Sequence, residues 1–211
     1  MTMTYTELKT NINDICENTF TDAQLALFTE QAEQKIYNAV QFPALRKNVT
    51  GTMTSGTKYL TMPTDFLYSY SLAVINSSGV YTFLLNKDVN FMREAYPNPS
   101  STGTPVHYAY FDQDSFILGP TPDSSYSTEL HYGYYPQSIV DAGTTWLGTE
   151  FDSALLNGAL VEAIRFLKGE PDMVAMYDKM YMESLLLLKN LGDGKLRADT
   201  YRSGQPRMEA R

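Results

Sequence analysis

Along the first forty or so residues the apolar positions recur every three or four places. Tyr5, Leu8, Ile12 and Ile15 fall on one helical face. Asn18-Thr19 interrupts the pattern, and Thr21-Asp22-Ala23-Gln24 then has the form of a capping box. In it the Thr hydroxyl and the Gln amide satisfy backbone N–H groups that the first helical turn leaves free. Leu25, Phe28, Ala32, Ile36 and Ala39 extend a second apolar stripe, and Pro43 closes it, because the residue before a proline is pushed out of the helical region.

From about residue 49 to 144 the period changes. This stretch holds seven of the ten prolines and eleven of the sixteen tyrosines, and a proline inside a helix costs about 3 kcal/mol. Short β-branched and aromatic runs alternate with turn residues. The expected strands are Val49–Thr54, Lys58–Met62, Leu67–Ile75, Tyr81–Leu85, Val106–Phe111, Ser115–Leu118 and Ser127–Tyr135. Ser77-Ser78-Gly79 and Asp112-Gln113-Asp114 read as hairpin turns, Gly133 as a bulge, and Asp88–Ala95 as a short helix among the strands.

The last third returns to helical spacing. Phe151, Leu155, Ala159, Ala163 and Phe166 share a face, with Leu156, Leu160, Ile164 and Leu167 beside it. So wide an apolar arc belongs to a buried helix. Gly169-Glu170-Pro171 stops that helix and starts another, whose expected stripe is Met173, Tyr177, Met180, Ser184, Leu188 and Leu191, ending at Gly192 and Gly194. The fold class that follows is α+β. Residues 1–48 and 145–193 form a four-helix bundle, residues 49–144 an inserted antiparallel β sandwich or barrel-like domain, and residues 194–211 an extended arm.

Charge sharpens the division. The net charge is −8, which argues against a nucleic-acid binder held by a basic surface. Residues 194–211 reverse the balance, with five basic and two acidic groups. A basic, Gly- and Pro-containing tail on an acidic body reads either as an interaction arm or as plain disorder. No apolar run approaches the ~20 residues that span a bilayer, and the opening MTMTYTELKT lacks the pattern of a signal peptide, so folding in a cytoplasm is expected. The single cysteine, Cys16, leaves no internal disulfide and no Cys-rich metal site.

Chemistry is sparse. His107 and His131 lie in expected strands without partners at ligand spacing, and a structural role is expected for both. No nucleophile elbow and no phosphate-binding loop is present. Asp112 with Asp114, and Glu150 with Asp152, are the only carboxylate pairs worth weighing for a hydrolase. Their plainer roles are a hairpin loop and the positive end of a helix. No catalytic residue, cofactor or metal is expected. The tyrosine-rich middle suits a contact surface and ordinary strand packing equally. Tyr132 and Tyr134 share a strand face.

Taken in order, these segments resemble the head-to-tail adaptor (connector) proteins of short-tailed bacteriophages, the group that includes tail tubular protein A. Tyr5-Thr6-Glu7-Leu8-Lys9 is similar to the family's first helix. Tyr59-Leu60-Thr61-Met62-Pro63-Thr64-Asp65-Phe66 resembles its strand and Leu-Pro-x-Asp-Phe element, with Met62 in the Leu place. Gly103-Thr104-Pro105-Val106-His107-Tyr108 and Leu118-Gly119-Pro120-Thr121-Pro122-Asp123 resemble the two ends of its hairpin. Glu129-Leu130-His131-Tyr132-Gly133-Tyr134-Tyr135 matches the following strand. Trp146-Leu147 and Ala154–Ala163 resemble the start of the first late helix. Gly148 departs from the pattern, standing where a larger apolar residue is expected and loosening that turn.

The resemblance implies a non-enzymatic ring, commonly of about twelve copies, in the neck of the virion. Its partners would be the portal protein on one side and the tail nozzle or hub on the other, with DNA passing through the channel unread. Synthesis in the host cytoplasm and no membrane partner are expected. Lys195, Leu196, Arg197, Tyr201, Arg202, Arg207 and Arg211 of the arm are the candidate portal contacts. Tyr81, Phe83, Tyr132 and Tyr134 are the candidate contacts to tail or neighbours. The competing readings are a receptor- or carbohydrate-binding β module of a phage tail, and a tail-associated hydrolase.

Overall fold

The computed structural model describes residues 2–196, with side chains through residue 194. In chain order the elements begin with helices α1 (Tyr5–Ile15) and α2 (Asp22–Ala39) and a short 3-10 turn, Pro43–Leu45. The strands β1 (Arg46–Met53), β2 (Tyr59–Thr61), β3 (Tyr68–Ile75), β4 (Tyr81–Phe83) and β5 (Leu85–Asn86) follow, then helix α3 (Val89–Ala95). Next come β6 (Thr102–Gly103), β7 (His107–Tyr110), β8 (Ser115–Gly119), β9 (Thr121–Pro122) and β10 (Tyr126–Gly133). Helices α4 (Ile139–Ala142), α5 (Trp146–Glu150), α6 (Asp152–Phe166) and α7 (Pro171–Leu196) complete the described chain. It divides into two units, one of Met1–Leu45 with the chain from Tyr135 onward, the other Arg46–Tyr134.

The helical unit is organised around α6, which packs on both α2 and α7 and touches α1 and α5. Leu8 and Ile12 of α1, Leu25, Ala32 and Ile36 of α2, Leu155 and Ala159 of α6 and Leu188 of α7 share one core with Leu147. Each fully buried Leu or Ile contributes about 1.5–3 kcal/mol. Both long N-terminal helices start at reciprocal caps. Thr21 and Gln24 exchange bonds of 2.9 and 3.3 Å. Thr4 and Glu7 do the same for α1, at 2.8 and 3.3 Å, a box the sequence reading passed over. Ile15, expected on the α1 stripe, is exposed, as are Phe166 and Leu167 at the end of α6. Phe166 still lies against Phe28 and Phe20, with centroids 5.4 and 6.2 Å away.

Helix α7 differs from expectation twice. It runs through Gly192 and Gly194 to Leu196 rather than ending there. Gly192 serves packing: a Cβ on it would lie 2.4 Å from the Gln41 carbonyl oxygen, so the missing side chain lets α7 cross the end of α2 closely. The buried face is Tyr181, Leu185 and Leu188, with Tyr177 and Ser184 half-buried at its margin. Met173, Met180 and Leu191, expected in the core, are exposed. The helix is apolar on more than one side, so its period alone does not choose the inner face. Gly148 is a correction of another kind. Its carbonyl accepts from Met3 N–H at 2.8 Å and a Cβ would stand 2.5 Å from the Met3 oxygen, so the turn is tight, not loose.

The second unit holds two four-stranded sheets, in the orders β1-β10-β3-β4 and β2-β8-β7-β5, and a two-stranded ladder of β6 and β9. The long pairings are antiparallel; β5–β7 and β6–β9 are short parallel ladders. Met53, Leu72, Val74, Leu130 and Tyr132 from the first sheet meet Tyr108, Phe116 and Leu118 from the second in one core. Among the described residues the sheets do not close into a barrel. The single strand expected over Tyr81–Leu85 is two. Leu84 turns inward between them, β4 pairs with β3 and β5 with β7. The bulge expected at Gly133 lies instead between His131 and Tyr132.

Candidate functional site

The Pro63-Thr64-Asp65-Phe66 segment lies at the edge of the β-unit core, with Phe66 packed against it. Phe66 packs edge-on to Phe116 at 5.4 Å and beside Tyr132 at 5.7 Å. Asp65 accepts from the Tyr132 hydroxyl through Oδ1 and from Lys47 Nζ through Oδ2, both at 2.7 Å. Burial acts to raise this carboxyl, but the bonds from Lys47 and Tyr132 outweigh it and hold it below its ordinary value. The motif therefore locks a turn against the last long strand.

Of the expected contact residues, Tyr81 and Phe83 are on the surface. They occupy the edge strand β4, where Phe83 is 61 % exposed and the two rings stack at 6.4 Å. Val80 and Leu85 beside them are exposed as well. The structure places Tyr132 differently. It is 1 % exposed, and its ring belongs to the core. Tyr134 is half-buried against the same core, under the Lys47 ammonium at 5.3 Å. Lys195 and Leu196 fall in the last turn of α7. Arg197, Tyr201, Arg202, Arg207 and Arg211 lie outside the described residues.

The surface that the sequence reading missed is on α7. Met173, Met176, Met180, Leu187 and Leu191 are all exposed, Leu187 by 67 %. At ~100° per residue these five fall within about 60° of helix circumference, next to the buried face. The available signal was an apolar arc wider than one core can cover.

The two carboxylate pairs sit in a turn and at the junction of α5 and α6. Asp112 Oδ1 accepts from Asp114 N–H at 2.9 Å and Ser115 hydroxyl at 2.8 Å. The Ser115 bond, then the Asp114 N–H, lower its pKa, which suits a fixed turn rather than a proton donor. Asp152 stands in the first turn of α6. The carboxyl pushed upward is Glu33 of α2, 3 % exposed, whose Oε1 accepts from Ile139 N–H at 2.9 Å. Burial raises it, against hydrogen bonds from Ser138 and Ile139. It anchors the start of α4. His107 Nδ1 bonds the Tyr96 hydroxyl at 2.7 Å, and His131 lies over Tyr70 at 5.1 Å. Among the described residues no cluster of potential ligands is arranged for a metal, and no helix is long and apolar enough to cross a membrane.

No curated protein matches the chain. The model of one protein family does, under the description SU10 adaptor protein, over residues 3–207. That span takes in the capped N-terminal helices, the β unit and the late helices alike. The chain belongs to the SU10 adaptor protein family, and is thus a bacteriophage adaptor and a component of the virion.

Proposed function

We propose that this adaptor closes into a ring of about twelve copies, seated in the neck of the particle between the portal and the tail nozzle, with a central channel for DNA. The observation that carries the ring is the exposed stripe Met173, Met176, Met180, Leu187 and Leu191 on α7. Soluble monomers rarely leave a contiguous apolar face of this kind uncovered. A ring needs a heterologous contact, in which one patch of each subunit meets a different patch of the next. The stripe supplies one side of it, and the neighbouring copy is its occupant.

The remaining assignments follow from charge and exposure. A chain of net charge −8 offers DNA a wall to which phosphates do not adhere. The protein acts without catalysis, by holding components together. The stacked Tyr81 and Phe83 on an edge strand serve a contact to the tail or to a neighbouring subunit. The basic residues Lys195, Arg197, Arg202, Arg207 and Arg211, with Leu196 and Tyr201, serve the portal side.

Native mass spectrometry of the purified chain, alone and mixed with portal rings, tests the proposal together with imaging of particles. A closed oligomer on the portal and density at the neck are expected. A chain that stays monomeric in the presence of portal and is missing from the neck overturns it.

A further inference from the structure

The β unit contains a cleft lined by aromatic and basic side chains. It measures about 270 Å³ and lies between α3, the following Pro97–Pro99 segment and strands β2 and β8. Tyr59 and Phe111 form one wall, their rings 5.0 Å apart. Tyr96 forms another, and two features fix its ring. Its hydroxyl bonds His107 Nδ1 at 2.7 Å, and its ring lies against Gly119, where a Cβ would come within 2.3 Å of it. Met92, buried, lines the base.

The charge at this cleft runs against the rest of the chain. Residues 49–144 carry three basic and eight acidic groups. Two of those three cations, Lys58 and Arg93, line this one cleft. Neither forms an ion pair among the described residues, although Lys9, Lys35, Lys47, Arg165 and Lys179 all do. Lys58 Nζ is held 5.1 Å over the Tyr59 ring, so a cation and an aromatic face are offered together.

We propose that this cleft binds a short acidic peptide segment of a partner protein, seating a carboxylate between Lys58 and Arg93 and an aromatic side chain against Tyr59, Tyr96 and Phe111. Arg93 supplies a planar fork suited to a carboxylate, and Lys58 a second point charge. Single-stranded nucleic acid uses similar groups, but with a charge on every nucleotide it meets more of the repulsive field of a chain of net charge −8 than a peptide with one or two carboxylates does. Only the identification of the partner as another particle component rests on the adaptor reading; the binding itself does not.

The probe is the acetylated and amidated peptide Gly-Glu-Trp-Asp-Gly, titrated into the isotope-labelled full chain and followed by NMR. Saturable shifts confined to the cleft residues are expected. The double variant Lys58→Gln and Arg93→Gln should weaken binding about ten-fold or more, the loss of two charge-assisted contacts. It should no longer distinguish the probe from its Gly-Gln-Trp-Asn-Gly analogue. Unchanged amide spectra away from the cleft establish that the variant folds. Shifts that fail to saturate, equal binding by the double variant, or tighter binding of oligothymidylate at the same residues would overturn the proposal. A double variant that still enters particles but no longer binds the probe separates this site from ring formation.

Discussion

The Tyr132 hydroxyl donates to Asp65 Oδ1 at 2.7 Å, tying β10 to the turn that carries Phe66. Tyr132 is buried while Asp65 is about one-third exposed, so the bond fixes geometry more than it adds energy. Tyr132→Phe should destabilise the β unit by about 1 kcal/mol, the usual net worth of one such hydrogen bond. Asp65→Asn should carry a pH signature. Because the carboxyl is held below its ordinary value, its contribution is present above pH 3.8 and is lost as pH falls through the lowered value. The Asn variant should lose less stability on acidification than the parent. Amide exchange of β10 reads both effects, and an unchanged exchange rate in Tyr132→Phe would refute the first.

Glu33 has the opposite sign. Burial raises its carboxyl from the ordinary 4.5, so the folded state holds the proton to higher pH than the unfolded chain does. The stability it contributes is fully present below pH 4.5 and is lost as pH rises through the raised value. Glu30 and Asp141 face the same group and add to the rise. Glu33→Gln keeps an acceptor for Ile139 N–H and removes the titration. Relative to the parent it should gain stability between pH 4.5 and neutrality and show no gain in acid. Trp146, stacked on Phe42 at 4.8 Å within the same helical unit, reports the urea midpoint. A parallel pH dependence in both proteins would count against the assignment.

Two glycines of α7 separate packing from propensity. In an open helical position Gly→Ala gains about 0.5–1 kcal/mol. A Cβ added at Gly194 would meet nothing within 4 Å, so Gly194→Ala should show a gain of that order. Gly192→Ala should instead lose about 1–3 kcal/mol, the range for overpacking, since backbone rather than a flexible side chain blocks the site. Thermal unfolding followed by Trp146 fluorescence compares them. The same sign for both variants would mean that Gly192 does not set the approach of α7 to Gln41.

What the sequence made legible was local chemistry. The Thr21–Gln24 box, the helix opened by Asp88 and the hairpin at Asp112–Asp114 each depend on residues within one turn of each other. The structure departs where a distant neighbour decides. Tyr132 reads as an alternating strand position of either face until Phe66 and Asp65 are brought to it from residues more than sixty places earlier. The inner face of α7 is the one that packs on α6, with Tyr181 and Leu185 buried and Asn157 Nδ2 donating to Ser184 Oγ at 3.1 Å beside them. The two-residue ladder of β6 and β9 is too short to leave any period at all.

The stripe on α7 gives the sharpest test of assembly, because adjacent residues on this helix have opposite surroundings. Leu187 is 67 % exposed and Leu188 is fully buried. Leu187→Glu removes little packing within the subunit, so unfolding should move by no more than about 0.5 kcal/mol. A charge placed in a desolvated seam between copies carries a cost of several kcal/mol. The ring should then be lost while the monomer survives, visible in native mass spectrometry as a collapse to the single-chain mass. Met180→Glu, on the same stripe, should do the same. Leu188→Ala should behave in reverse, costing about 2–5 kcal/mol of subunit stability through the cavity it leaves. Rings that form normally with Leu187→Glu and Met180→Glu combined would place the seam between subunits on another face.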